Sequence, residues 1–273
     1  MEKLKTILIK NNISLKKAFG QNFLTDTNLL EEIVDKAGVG ENDLVLEIGC
    51  GAGALTNVLA RRAKKVIGYE IDNRLKPVLE QVLADYNNVE IVFNDVMKVA
   101  VSDIEKKLGE KYVLVANLPY YITTPIIMRF IENAKNLRRM VIMVQEEVAD
   151  RLASKESSSD YGAITVGINL RGSAQKVLRV GREKFTPPPN VDSAVVRIDI
   201  EENKFNDEDF DKVRQVVRCA FSSRRKMLVN NLMNGYKLNR DKAEQVLLSA
   251  DLPLTIRGEN LTAEDFVKLS KLL

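Results

Sequence analysis

Five short apolar runs, Leu44–Ile48, Val66–Tyr69, Val89–Phe93, Tyr112–Ala116 and Met140–Val144, recur along the chain with polar, amphipathic stretches between them. Each run is too short for a helix and is rich in Val and Ile. Apolar runs without polar alternation belong to strands covered on both faces. The order strand, helix, strand, helix therefore predicts a parallel sheet between helical layers, an α/β class. A helix is expected upstream, capped by Thr25 or Asp26 and running through Leu29, Leu30, Ile33 and Val34.

The period changes further on. Val191–Ile200 reads as an extended strand after the Pro187-Pro188-Pro189 block, which cannot be helical. Glu201–Asp211 is acidic and reads as a linker or a helix start. Beyond it the spacing is helical, through Val213, Val216, Val217, Ala220 and Phe221 and later Ala243, Val246 and Leu247. The expected division is an α/β domain over 1–204 and a small all-α domain over 205–273.

Composition removes several chemistries. The chain has no histidine, so Ser-His-Asp triads, histidine bases and histidine metal sites are excluded. Its two cysteines, Cys50 and Cys219, have no CxxC partner, so no metal site is expected and a reducing cytoplasm is. The first ten residues are too short in apolar run for a leader, and no stretch reaches the roughly 18 apolar residues of a membrane span. A net charge of +3 in 273 residues does not itself imply nucleic acid.

Leu44–Leu55 runs from a predicted strand through Gly49, Gly51 and Gly53 into a predicted helix, where a nucleotide can approach the backbone closely. Gly49-x-Gly51-x-x-Ala54 satisfies a dinucleotide fingerprint, and Glu47-x-Gly49-x-Gly51-x-Gly53 satisfies an S-adenosylmethionine loop equally well. Glu70 ends the second strand, where a carboxylate accepts from ribose hydroxyls in either case. A pyrophosphate wants positive potential, whereas a sulfonium is a cation. The acids Glu47, Glu70, Asp72 and Asp95, expected near the strand ends, tilt the reading to S-adenosylmethionine. Asp95 also suits a helix cap.

Asn117-Leu118-Pro119-Tyr120 follows the fourth run. Chemistry in an open α/β sheet sits beyond the carboxyl ends of its strands. The Asn117 side-chain oxygen and the Leu118 carbonyl can accept from an exocyclic amine. Pro119 restrains Leu118 to extended conformations, and Tyr120 can stack on a base. Two acceptors on an aromatic amine favour a pyramidal nitrogen with its lone pair aimed at a methyl group, and no histidine base is needed. The same residues also suit a plain turn.

Phe19-Gly20-Gln21-Asn22-Phe23-Leu24, Glu47–Gly53, Tyr69–Asp72, Asn94-Asp95, Asn117–Tyr120 and Phe185–Ser193 occur in this order. The chain thereby resembles the ribosomal RNA adenine dimethyltransferase family over nearly its whole length. The resemblance implies a Rossmann-like S-adenosylmethionine-dependent domain with a mostly parallel seven-stranded sheet. It implies dimethylation at N6 of two adjacent adenines in the 3′-terminal hairpin of 16S RNA, on an immature 30S particle, by a monomer. It also implies cofactor contacts from Asn22, Leu24, Gly49, Glu70, Asp95 and Asn117, with Phe185 on the target base opposite Tyr120. Without it, Gln21–Leu24 reads as a loop and Phe185 equally as a core aromatic. Tyr120, together with the Phe-Thr-Pro-Pro-Pro block, favours the small-subunit branch over the macrolide-resistance branch, which acts on large-subunit RNA. A nicotinamide-dependent oxidoreductase and a non-catalytic assembly factor are the readings from other classes.

Lys212 to Lys226 holds six cations (Lys212, Arg214, Arg218, Arg224, Arg225, Lys226) and no acid. If one helix runs through them, Arg214, Arg218 and Arg225 share a face that could track phosphates. A solvated face balanced by Glu201–Asp211 is the competing reading. Lys16, Lys17, Arg138 and Arg139 could extend the footprint.

Overall fold

The computed structural model describes residues 23–24, 26–202 and 210–273. The sheet-bearing part of the chain contains β1 (Phe23–Leu24), α1 (Thr27–Ala37), β2 (Leu44–Ile48), α2 (Ala54–Arg62), β3 (Lys65–Glu70) and α3 (Lys76–Val82). It continues through β4 (Val89–Phe93), α4 (Val101–Leu108), β5 (Tyr112–Asn117), α5 (Tyr120–Asn133), β6 (Leu137–Gln145) and α6 (Glu146–Leu152). After α7 (Ala163–Arg171) come β7 (Gly172–Val180), β8 (Phe185–Thr186) and β9 (Ser193–Ile200). The last helices are α8 (Phe210–Phe221), α9 (Leu228–Tyr236), α10 (Arg240–Ser249) and α11 (Ala263–Leu272).

Seven strands form the main sheet in the order β4-β3-β2-β5-β6-β9-β7. Strands β4, β3, β2, β5 and β6 run parallel, and β9 is antiparallel to β6. The five apolar runs are β2 to β6, extended by one to three residues at some ends. Every residue of β2 is buried, as is all of β5 up to Asn117, because helices cover both faces. The edge strand β7 escaped the sequence reading. Its segment is mostly half-buried or exposed, so it carries neither an apolar run nor a clean alternation.

Asp26 caps α1 as expected, its carboxylate accepting from the backbone N–H groups of Asn28 and Leu29. Of the segment Gln21–Leu24, read as a loop, only Phe23 and Leu24 are described, and they form a strand. Phe23 and Leu24 form β1 and pair antiparallel with Thr186 and Phe185 of β8. No local sequence signal announces a pairing with so distant a segment.

Packing divides the chain into two units, one ending its segments at Ala149 and spanning Gln175–Ile200, the other comprising Asp150–Ala174 and Glu201–Leu273. The last of the three crossings lies between Ile200 and Glu201, against an expected cut at 204. The segment 150–174, however, groups with the C-terminal helices, although its last three residues begin β7 of the sheet. Tyr161 is fully buried there, and its hydroxyl donates to the Leu261 carbonyl at 2.9 Å. Its ring lies 6.2 Å from that of Phe221, which stacks on Phe266 at 6.1 Å. The Ser157 N–H donates to the Glu259 carbonyl.

The cationic stripe is corrected as well. Helix α8 stops at Phe221, so Arg224, Arg225 and Lys226 lie in the turn before α9, off any face shared with Arg214 and Arg218. The buried Asn231 amide braces this stop, donating to the carbonyl of Ala220 in the last helical turn and to that of Ser223 in the turn beyond. Thr25, Asn22, Lys16, Lys17 and most of the acidic stretch, 203–209, lie outside the described residues.

Tyr161→Phe tests the membership of 150–174. It removes the donor to a buried carbonyl and is expected to lower unfolding free energy by about 1–2 kcal/mol in urea titrations. Wild-type stability would mean that this segment does not anchor the helical unit.

Candidate active site

The sheet order reverses between β2 and β5. From β2 the chain winds outward through β3 and β4, then returns to the other side of β2 with β5 and β6. A crevice is expected at the carboxyl ends of the two strands flanking that reversal. The structure has one there, lined by the glycine loop, Glu70, Asp95, Asn117–Ile122 and Phe185.

The glycine loop takes its shape from backbone conformations that side chains resist. Gly49, Gly51 and Gly53 all have positive φ, of 79°, 54° and 82°. A Cβ on Gly53 would sit 3.0 Å from Leu79 and 3.2 Å from Val82. The loop thus requires glycine at 53, a position that the dinucleotide pattern leaves open and the S-adenosylmethionine pattern fills. At Gly49 a Cβ would meet the Asn117 carbonyl oxygen at 3.5 Å, so the glycine loop and the end of β5 lie against each other.

Glu70 ties the loop to β3. One carboxylate oxygen accepts from the Gly51 N–H and the other from the Asp72 N–H, each at 2.8 Å. Glu70 is 3% exposed. Burial raises its pKa, and the bonds from Asp72 and Gly51 pull it back down. Asp95 begins the short helical turn over Val96–Lys98, and its Oδ1 accepts from the Met97 N–H at 2.9 Å. The capping role holds, and the same residue lines the crevice.

Two of the four acids do not face this space. Asp72 makes a two-pronged ion pair with Arg74, which holds its carboxyl below the usual carboxylate range. Glu47 lies behind the loop, 1% exposed, with no hydrogen-bond partner for either oxygen among the described residues. The charged residues among the described lining are Glu70 and Asp95, and none is cationic.

Asn117 ends β5, opposite Met143 of β6. Leu118 is buried, Pro119 precedes α5 in an extended conformation, and Tyr120 opens the helix. The Tyr120 hydroxyl and the Ser193 Oγ of β9 are 2.8 Å apart, which fixes the ring from its far end. Phe185 is 3% exposed and shares a core with Leu24, Leu30, Val180 and Val195. It is a core aromatic that also lines the crevice, as does Leu24 across the β1–β8 pairing. The sequence reading missed Ile71, Val96, Tyr121 and Ile122 in the lining. For Ile71 a signal existed, an apolar residue directly between two acids at a strand end.

The proposed RNA residues belong to the helical unit. Arg218 is exposed on α8, and Arg224, Arg225 and Lys226 are exposed in the turn that follows. Arg224 is partly committed, donating to the Ser159 carbonyl at 2.8 Å and approaching Glu259 at 3.3 Å.

A doubly wound sheet with a glycine loop and an Asn-Leu-Pro-Tyr edge at its reversal point defines a Rossmann-like methyltransferase. The family model described as ribosomal RNA adenine dimethylase matches residues 12–273, and the chain belongs to that family. A ribosomal RNA small subunit methyltransferase A from Geobacillus sp. (strain WCH70) is 46% identical over 279 residues, covering 98% of this chain and 94% of the relative. The protein of the same name from Bacillus licheniformis is 46% identical over 273 residues, covering 97% and 94%. Among solved structures, a dimethyladenosine transferase from Plasmodium falciparum superposes with a TM-score of 0.77 at 32% identity, covering 90% of this chain and 95% of that one. The 23S rRNA methyltransferase ErmE gives a TM-score of 0.70 at 27% identity, covering 92% and 99%.

Burial lifts the Glu47 pKa from 4.5 to about 7, with Thr56 and Cys50 offsetting part of the rise and Glu70 adding to it. A carboxyl raised in the folded state stabilises the fold fully below its unfolded pKa, and that contribution is lost as pH climbs through about 7. Glu47→Gln should flatten this dependence. Between pH 4.5 and pH 8 the wild type should lose on the order of 3 kcal/mol relative to the variant, read as diverging melting temperatures. Parallel curves would rule the buried carboxyl out as the cause.

Proposed function

We propose that the chain transfers methyl groups from S-adenosylmethionine to N6 of two adjacent adenines in the 3′-terminal hairpin of 16S ribosomal RNA. The observation that carries this reading is the crevice itself. Its described lining combines two carboxylates and no cation with the Asn117–Tyr120 edge set against the glycine loop. A pyrophosphate would face Glu70 and Asp95 with no compensating positive side chain, whereas a sulfonium suits them.

The residues fit the cofactor. Gly49 and Gly51 give it backbone to lie against, with Leu24 beside them, while Gly53 shapes the loop from outside the described lining. Glu70 would accept from its ribose and Asp95 from its adenine amino group. When bound, S-adenosylmethionine supplies an activated methyl group on a sulfonium centre. The chain's own work is placement. Asn117 Oδ1 and the Leu118 carbonyl accept the two N6 hydrogens and favour a pyramidal nitrogen, Pro119 aims that carbonyl, and Tyr120 and Phe185 hold the base plane. Orientation of this kind contributes several kcal/mol to a bimolecular transfer. The methylated nitrogen then sheds its proton to water.

Small-subunit RNA is favoured over large-subunit RNA by the 46%-identical relatives, which are ribosomal RNA small subunit methyltransferases. The likeness to the 23S enzyme keeps the second substrate in the test. For the helical unit we read Arg218, Arg225 and Lys226, with Arg224 in its pinned position, as phosphate contacts. A monomer working in the cytoplasm on immature 30S particles completes the proposal. Both cysteines are free thiols, and no described helix is long and apolar enough to cross a membrane.

The test is mass spectrometry of adenosines after incubation with undermethylated 30S particles or 23S RNA and the methyl donor. Dimethyladenosine at two neighbouring positions of 16S RNA is expected. Asn117→Ala should lower the rate on the order of 100-fold, the scale of losing one preorganised polar group in an active site. A wild-type rate in that variant would overturn the site, product on 23S RNA alone would overturn the substrate, and calorimetric binding of NAD in place of S-adenosylmethionine would overturn the class. Replacing Arg218, Arg225 and Lys226 together with alanine should make log affinity fall less steeply with log salt, by about 0.7–0.9 in slope for each phosphate no longer neutralised. An unchanged slope would remove them from the RNA footprint.

A further inference from the structure

Tyr121 is the most exposed large apolar side chain among the described residues, with 72% of its surface in water. A single exposed aromatic is ordinary on a protein surface. This one lines the mouth of the crevice. Its neighbour Tyr120 is tied inward by Ser193, while no described residue hydrogen-bonds the Tyr121 hydroxyl. Consecutive helix residues do not face the same way, so the first turn of α5 carries an inner, anchored ring and an outer, free one.

We propose that Tyr121 is a stacking platform for the nucleobase adjacent to the adenine being methylated. The inference rests on the proposed adenine site and adds a second base to it. A base taken out of its stack into a pocket leaves its chain neighbour with one face open. An aromatic side chain at the rim offers that face a sequence-tolerant partner, the usual way in which splayed RNA bases are held. The ring's exposure also fits such a partner. Its apolar faces stay in water until RNA arrives, and it packs into no core that would hold it elsewhere. A folded protein partner would need a contiguous apolar patch. Here the other strongly exposed apolar residue of the crevice, Ile71, follows the end of β3 beside Glu70, where the cofactor is placed.

The experiment is methylation kinetics on two RNAs, one intact and one carrying an abasic site beside the target adenine. Tyr121→Ala should raise the KM for intact RNA about tenfold, while calorimetry shows S-adenosylmethionine affinity within twofold of wild type. Tyr121→Phe and Tyr121→Trp should restore the KM, since either offers a flat ring. The abasic RNA should raise the wild-type KM by a similar factor and leave that of Tyr121→Ala unmoved. An equal abasic penalty in both proteins, or a wild-type KM in Tyr121→Ala, overturns the inference. With Asn117→Ala inactive in the same assay, that result leaves the adenine site standing. With Asn117→Ala fully active, the site and the inference fall together.

Discussion

The crevice depends on one buried carboxylate. Glu70 accepts two backbone N–H groups, one from the loop after β2 and one from its own strand end. Those bonds add to the packing of the buried Cys50 and Ala52 and hold the loop where glycines at 49, 51 and 53 have no side chain to pack. They also offset part of the burial that raises the Glu70 pKa. A glycine loop held by a charged acceptor stays open to a ligand and still keeps its shape. Glu47 shows the contrast: fully buried, with only Thr56 and Cys50 to offset the burial and no backbone N–H donor among the described residues, it is driven to about 7.

Strand β5 completes the arrangement from the other side. Its end reaches the loop at Gly49, and the turn into α5 places a carbonyl, an amide and an aromatic ring on one short edge. Ser193 of the antiparallel β9 fixes the ring. The antiparallel β9 therefore contributes to the site, since its Ser193 hydroxyl meets that of Tyr120.

Much of this was legible in the residues. Strands β2 to β6 were read from apolar runs because a doubly covered sheet writes burial directly into composition. The cap at Asp26, the glycine loop and the Asn117 edge were read from local chemistry. What was not legible is tertiary. Leu24 and Phe185 meet through a two-residue pairing with no periodicity to detect. Asp72 turns to Arg74, two residues on, rather than to the crevice. Residues 150–174 carry the helix Ala163–Arg171 but nothing local that says which core they join. The helix expected through Arg225 ends at Phe221, and the turn after it is held by Asn231 of the next helix, whose amide donates to the Ala220 and Ser223 carbonyls.

The short β1–β8 pairing has a consequence for biosynthesis. It joins segments about 160 residues apart in the chain, and both contribute walls to the crevice. A growing polypeptide can lay down the parallel strands in order as they leave the translating ribosome, yet it cannot close this wall until Phe185 has emerged. Competence to hold a ligand is thereby deferred almost to the end of synthesis of the sheet-bearing unit, and incomplete chains carry the glycine loop without the enclosure that makes it useful.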